Sequence, residues 1–516
     1  MIVTRRRILT TAAGLLAGGL GMPGLSRAAA RPIVSHGVQS GDVDGTSGVV
    51  WARSDRPARL HIEIATTESF ADATRLEPVD ALPSCDFAAK RLLTGLPSGQ
   101  TIFYRMRFAD LGDVNGVSEP VVGRFRTAPE SGRPVRFVWS ADTAGQGFGI
   151  NVEDGGMRTY AAMAMHDPDF FLHSGDTIYA DGPIKPEVGT ANGLWKNIVA
   201  EGVDKVAETL GEFRGRFKYN LLDANLRAFN AQIPTFCQWD DHEVVDNWSS
   251  GKDLSGDDRY TEKSIDVLSR RAARALHEMM PIRRAPGDPG RIYRKISYGP
   301  LLDVFFLDLR SYRGANGASL EKAVTPASRI LGARQLAWLK QALRTSRATW
   351  KVIACDMPLG LIVWDDWRTK TGVEAVANGD HGGPLGRELE IADLLRFIKR
   401  GKIGNLVWLT ADVHYTAAHL YTPDRAQFQD FSPFWEFVSG PLHAGTFGPN
   451  ALDMTFGPEV KFMKAPSSGQ GQNLPPSAGL QFFGIVDIDH RSRQMTVRLM
   501  DRGNRELYGT TLDPKE

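Results

Sequence analysis

Residues 170–182 read FFLHSGDTIYADG, and the way this stretch ends decides the fold. An apolar run feeds straight into Gly175-Asp176, and a phenol, Tyr179, follows three residues later. A short apolar run bounded by turn residues reads as a buried strand. The same ending recurs along the chain. VRFVWSAD stops at Asp142, IPTFCQWDDHE at Asp240, Asp241, His242 and Glu243, and LLDVFFLDLRSYR at Asp308 and Arg310. WKVIACD stops at Asp356, and NLVWLTADVH at Asp412 and His414. Between these runs lie helical patterns: MRTYAAMAMHD, a long one over 194–217, SRRAARALHEMM, ARQLAWLKQALRTS and ELEIADLLRFIKR. Strands alternating with helices make an α/β domain. In open α/β sheets the ligand crevice lies outside the carboxyl ends of the strands. Six runs therefore deliver acids, histidines and an arginine to one rim.

Upstream the style differs. Over residues 32–128, segments such as SGVVWARS, ARLHIEIATT, TIFYRMRFA and VVGRFRTAP are short, alternating and separated by turn residues. They suit a small all-β sandwich of fibronectin-like or immunoglobulin-like type, with APESGRP as the way out. The first thirty residues include TRRRILTTAAGLLAGGLGMPGLSRAAA, a basic start, a modest apolar stretch and small residues. This is the pattern of a twin-arginine secretory signal. The apolar part is shorter than the roughly 20 residues a membrane span needs, and no other segment approaches one. The expected organisation is a signal peptide over 1–30, a β-sandwich over 31–130 and a larger domain over 135–516. The expected destination is the periplasm or cell surface, reached through the twin-arginine export machinery. That route carries folded cargo, often with a cofactor in place.

Of the 516 residues, 42% are apolar and 23% charged, as in an ordinary globular protein. Basic and acidic residues number 61 and 60, so there is no electrostatic case for nucleic acid or anionic lipid. Cleavage after Ala30 removes four arginines and leaves a net charge of −3. Cys85, Cys237 and Cys355 are far apart and form no CxxC pair, which excludes a zinc knuckle or disulfide scaffold; one disulfide is open to them. Cys237 and Cys355 sit in apolar runs and read as core residues.

So many carboxylates on one rim repel each other unless some are protonated or a multivalent cation holds them charged. The cation is the simpler solution. Carboxylates are hard oxygen donors, suited to calcium, magnesium, manganese or ferric iron. Two metals sharing a carboxylate are a common device for phosphoryl transfer. Each residue alone has a plainer role: an aspartate at a strand end commonly caps a helix or closes a turn. Recurrence in order along the chain is what points to a site.

The order D…GDxxY…DDHE…DxH resembles the calcineurin-like metallophosphoesterases, and in particular the alkaline phosphatase D (PhoD-like) family. The resemblance covers nearly the whole chain: twin-arginine signal, sandwich, SAD, GDTIYADG, WDDHEVVDNW, LDLRSYR and TADVHYT. It implies an αββα catalytic fold and a ferric ion beside calcium, with phosphate bound across both. Asp176 would bridge the metals, and Tyr179 and His414 would ligate iron, as the tyrosine of the same motif does in purple acid phosphatases. Asp142 is the natural first-motif ligand; some family members present a cysteine in that motif. Asp241 and Asp412 would serve the second metal, with Asn247 as a neutral oxygen donor. His242 would orient the phosphate or protonate the leaving oxygen. Zinc, manganese or magnesium are the alternatives at a two-metal site. The implied activity is hydrolysis of phosphate mono- or diesters by a metal-bound hydroxide. The alternatives are a diesterase acting on phospholipids or wall polymers, and a non-catalytic surface-binding relative. Arg310 is expected to bind phosphate, its guanidinium matching phosphate in a bidentate way, or else to form a structural ion pair. Asp356 and His443 are further residues within reach of such a site.

Overall fold

The computed structural model describes residues 31–113, 115–191 and 193–515; the expected signal peptide lies outside them. Two mixed sheets form the centre. In spatial order the first holds Glu506–Leu512, Met495–Asp501, Phe482–Ile488, Val135–Ser140, Phe170–His173, Thr235–Cys237, Val34–Gly41, Ser47–Ser54 and Ala88–Thr94. The second holds Arg294–Ser297, Leu302–Phe306, Trp350–Ala354, Leu406–Thr410, Phe434–Val438, Thr416–Tyr421 and Pro458–Lys464. The middle of each sheet is parallel.

Side chains alternate across a strand, and here both faces are covered, which is why the central runs are apolar throughout. Phe137, Trp139, Phe170, Leu172 and Phe236 point inward and share a core with Val304, Phe306, Val352 and Ala354 of the other sheet. Phe170 stacks between Phe137 and Phe236, with ring centroids 4.7 and 4.4 Å away. Val138, Phe171 and Cys237 point the other way, among residues of helices Arg158–Ala164, Leu210–Asn220, Ala224–Gln232 and Ile265–Met279. Phe305, Ile353 and Trp408 share the opposite outer core with helices Gly332–Thr345 and Glu388–Arg400. The result is a four-layer αββα sandwich, as the family resemblance implies.

The N-terminal segment is all-β. Ala58–Ala65, Thr101–Asp110 and Val121–Arg126, with the short strands Thr74–Arg75 and Val79–Ala81, form a separate sheet. It packs on Val34–Gly41, Ser47–Ser54 and Ala88–Thr94, and these three strands also extend the first central sheet. Gly41 pairs in parallel with Thr235, and Val38, Val50 and Leu93 belong to the same core cluster as Phe137 and Phe236. The sandwich thus shares a sheet and a core with the larger αββα fold. Trp51 Nε1 donating to Glu278 O at 2.9 Å adds a polar tie to helix Ile265–Met279.

The helix expected over 194–217 begins only at Leu210, and Gly193–Lys196 pairs instead with Glu187–Thr190 in a hairpin. Thr209 sets that start. Its backbone is extended, its side chain accepts from Glu212 N, and Glu212 Oε2 accepts from Thr209 N at 2.8 Å. This reciprocal cap defines the helix end, so the apolar spacing upstream has no helix to serve. Helix Ala224–Gln232, capped by Asp223, adds to the expected set. The C-terminal run Phe482–Ile488 and Met495–Asp501 forms a hairpin and pairs onto Val135–Ser140. All three cysteines are free thiols, and Cys237 and Cys355 are buried.

Candidate metal centre

Parallel strands end on the same side, so the loops after Ser140, His173, Cys237, Phe306, Ala354 and Thr410 meet on one rim. There the side chains form three groups whose ligand atoms lie within 4.8 Å of one another: Asp142, Asp176 and His414; Asp176, Asp241 and His242; Asp240, Asp241 and Asp412. Asp176 belongs to the first two groups and Asp241 to the last two, so the positions adjoin.

Several of these carboxylate oxygens lack a partner. Both oxygens of Asp142, Oδ2 of Asp240 and Oδ1 of Asp241 are buried without a hydrogen bond. Burial, together with neighbouring carboxylates, pushes Asp142, Asp176, Asp240 and Asp412 well above the usual carboxylate range. Asp241 is pulled the other way: His242 and Arg310 outweigh its burial and hold it low. Buried carboxylate oxygens with no donor are costly. A bound cation relieves both the desolvation and the mutual repulsion. The donor set of oxygen, imidazole and phenol fits hard cations.

The backbone is also constrained here. Asp142, Asp176, Asp412, His414 and Asn247 have φ of 68°, 52°, 67°, 59° and 54°. Left-handed non-glycine residues cost about 1–3 kcal/mol in unfavourable cases and gather at functional sites; Asp, Asn and His tolerate the region best. Two glycines admit close approach. A Cβ on Gly175 would lie 2.5 Å from Asp240 Cβ, and one on Gly440 2.3 Å from Asp142 Oδ2.

His414 is fixed by its ring. Nδ1 hydrogen-bonds the Gly445 carbonyl, which only accepts, so Nδ1 carries the proton and Nε2 offers its lone pair. Nε2 lies 3.0 Å from Tyr179 Oη and 3.7 Å from Asp142 Oδ1. Burial lowers His414 to about 4, which keeps the ring neutral. Burial, with Asp176 and Asp142 nearby, raises the Tyr179 phenol well above its ordinary value.

His242 sits at the edge of the group, its side chain 15% exposed and its ring 4.3 Å from that of Tyr179. Its backbone N–H donates to Asp176 Oδ1 at 3.2 Å. Nδ1 lies 2.8 and 3.0 Å from the two oxygens of Asp181. Burial alone would lower the imidazole; Asp181, Asp241 and Asp176 outweigh it and raise it well above its usual value. The ring is thus held protonated at Nδ1, with Nε2 3.7 Å from Asp246 Oδ1.

Two residues quoted in the motifs but given no role matter here. Asp181, within GDTIYADG itself, orients His242. Glu243 clamps two motif loops: Oε2 accepts from Asp176 N at 3.2 Å and Asp240 N at 2.8 Å, and Oε1 from Thr177 N and Oγ1 at 2.6 Å each. Asp181 lies five residues past Asp176 and Glu243 two past Asp241, so proximity to the motifs was the available signal.

Of the two readings of Arg310, phosphate ligand or structural ion pair, its contacts favour the ion pair. Its side chain is fully buried, and Nε lies 2.7 Å from Asp240 Oδ1 and 3.2 Å from Asp356 Oδ2, while Nη1 bonds Glu374. The guanidinium is held among acids, with Nη2 also 3.8 Å from Asp241 Oδ1 and 3.6 Å from Asp412 Oδ1. Asp356 belongs to that charge cluster, with Glu374 and Arg313 completing it. Asp308 closes its own turn, accepting from Arg310 N and Ser311 N at 3.1 and 2.9 Å. His443 braces a loop through Nε2 and Gly149 O at 2.9 Å. Asn247 touches the site through its backbone N–H, which donates to Asp241, while its side-chain Nδ2 donates to Asp365 O at 3.1 Å.

The model for the PhoD-like phosphatase family matches residues 137–499, and the model for the N-terminal domain of PhoD-like phosphatases matches residues 20–129. The chain is 30% identical over 439 residues to alkaline phosphatase D of Bacillus subtilis (strain 168), covering 80% of this chain and 70% of that protein. A solved structure of PhoD superposes with a TM-score of 0.68 at 22% identity, over 94% of each chain. A purple acid phosphatase from yellow lupin (Lupinus luteus) seeds superposes with a TM-score of 0.55 at 12% identity, over 94% of this chain and 74% of that one. At these identities the structural matches speak to the fold.

Proposed function

The chain belongs to the PhoD-like phosphatase family and is a hydrolase of phosphoric esters; from that premise we propose an exported enzyme that cleaves phosphate mono- or diesters at a paired-cation site. The observation that carries this reading is the row of adjoining carboxylates linked through Asp176 and Asp241, four of whose oxygens are buried without a hydrogen bond. In this proposal Asp142, Asp176, Tyr179 and His414 hold one cation, and Asp176, Asp241, Asn247 and Asp412 hold its neighbour.

Ferric iron is the proposed occupant of the first position. Tyr179 Oη, 3.0 Å from His414 Nε2, adds a hard phenolic oxygen to that donor set, the kind of donor ferric iron favours. Calcium suits the carboxylate-rich second position. Bound there, the cations supply Lewis acidity to the phosphoryl oxygens and to the attacking water.

The chain supplies the rest. His242, oriented by Asp181, gives its Nε2 proton to the leaving oxygen. Glu243 holds the Asp176 and Asp240 loops in register, so the ligand carboxylates are placed before substrate arrives. Arg310 offsets the charge of Asp240, Asp356 and Glu374 from within and keeps the acidic rim foldable.

The twin-arginine pattern of Arg5 and Arg6 supports export to the periplasm or cell surface, and no helix among the described residues is long and apolar enough to cross a membrane. The test is hydrolysis of p-nitrophenyl phosphate and bis(p-nitrophenyl) phosphate by the metal-loaded protein. Asp176→Asn should abolish turnover while circular dichroism shows an intact fold. Full activity in that variant would contradict the proposal.

A further inference from the structure

Residues 362–372 read IVWDDWRTKTG and form a hairpin beside the metal centre. Trp364–Asp366 pairs antiparallel with Thr371–Val373. At its tip stands Trp367, 76% exposed, the one aromatic among the exposed large hydrophobic side chains of the described residues. An uncovered tryptophan forfeits burial of about 150–250 Å².

The hairpin is pinned to the site. Asp365 O accepts from Asn247 Nδ2 at 3.1 Å, and Asn247 N–H in turn donates to Asp241. Asn316 Nδ2 ties the same pair together, 3.0 Å from Asp365 Oδ1 and 2.8 Å from Asn247 O. Lys252 Nζ stands 3.5 Å from Asp365 Oδ1. The tip is set as well: Asp366 Oδ1 accepts from Arg368 N at 2.9 Å and Thr369 N at 3.3 Å. Two residues of chain, at most about 7 Å, separate Trp367 from Asp365. Trp367 is thus two residues from a carbonyl that is hydrogen-bonded to Asn247, the residue whose N–H meets Asp241, and its indole is left open. Arg368 and Lys370, both exposed, flank it with positive charge.

We propose that Trp367 is an aromatic subsite that stacks on a planar organic group of the phosphate ester, an aryl or base-bearing alcohol, while the phosphoryl group sits at the metal centre. This rests on the phosphoesterase reading above. Stacking against an aromatic side chain is worth about 5- to 150-fold in affinity.

The test is calorimetric titration of metal-loaded protein with phenylphosphonate and methylphosphonate, which need no turnover. The wild type should prefer phenyl by at least about fivefold. Trp367→Ala should bring that ratio to about one, and Trp367→Phe should keep most of it. An undiminished ratio in Trp367→Ala, or no preference in the wild type, overturns the proposal. An unchanged ratio accompanied by loss of binding to phospholipid vesicles would make the tip a membrane contact instead. A wild type that shows the preference yet hydrolyses no mono- or diester keeps the subsite and loses the phosphoesterase reading.

Discussion

Asp181→Asn isolates the role given to His242. Asp181 is 5% exposed, receives His242 Nδ1 at 2.8 and 3.0 Å and also accepts from Asp246 N at 2.8 Å. Asparagine keeps the shape and one acceptor but removes the charge that holds the imidazole protonated and oriented. A buried hydrogen bond to a charged group is worth about 1.5–3 kcal/mol. At about 1.4 kcal/mol per tenfold, kcat should fall about 10- to 150-fold. The loss should be greatest for esters with a poor, alkoxide-like leaving group, because those need the proton most. The assay is steady-state kinetics on good and poor leaving groups, in wild type, Asp181→Asn, His242→Ala and the double variant. If Asp181 acts through His242, the double variant is no slower than His242→Ala. Losses that multiply across the cycle would refute the reasoning, as would an equal loss for both leaving groups.

Other outcomes follow from the same contacts. Glu243→Gln places an NH2 where two or more buried donors need an acceptor, costing about 1–3 kcal/mol for each one left unsatisfied; thermal denaturation should show the drop and titration should show weaker metal binding. Arg310→Met leaves Asp240, Asp356 and Glu374 uncompensated and should destabilise the fold by about 3–5 kcal/mol in denaturant unfolding; an intact stability with only a raised KM would restore the phosphate-binding role. Thr209→Ala removes the reciprocal cap of helix Leu210–Asn220 at about 1 kcal/mol, read from the urea midpoint. Glu212, held down to about 2 by the Thr209 and Glu208 N–H groups and by Lys205 against partial burial, is bound more tightly as the anion in the folded state. Its contribution is therefore present above pH about 4.5 and fades as pH falls toward 2; wild type and Glu212→Gln should differ in urea midpoint at pH 6 and converge near pH 2.

The rim was legible because its physics is written along the chain. Strands covered on both faces must be apolar end to end, so the first acid after each run marks the carboxyl edge, and parallel pairing brings those edges together. Asp142, Asp176, Asp240, Asp308, Asp356 and Asp412 mark that edge; the choice of ligands among them, with Asp241 and His414, is what the family resemblance implies. What failed depends on partners distant in sequence. Arg310 reads like a phosphate ligand until Glu374, 64 residues on, and Asp240, 70 residues back, are seen to enclose it. The helix expected over 194–217 shows apolar spacing, yet Thr209 and Glu212 cap it midway. Asp181 was in plain view, but its use depends on His242 returning from 61 residues away. The joining of the sandwich to the central sheet through Gly41 and Thr235 leaves no local mark at all.

Metal content per chain, measured by elemental mass spectrometry on protein exported by its own signal, tests the account most directly. The account predicts at least two metal ions per chain, iron accompanied by calcium, with Asp176→Asn losing both because its carboxylate serves two positions. Fewer than one metal ion per chain after reconstitution, or an Asp176→Asn variant that keeps the full complement, would contradict it.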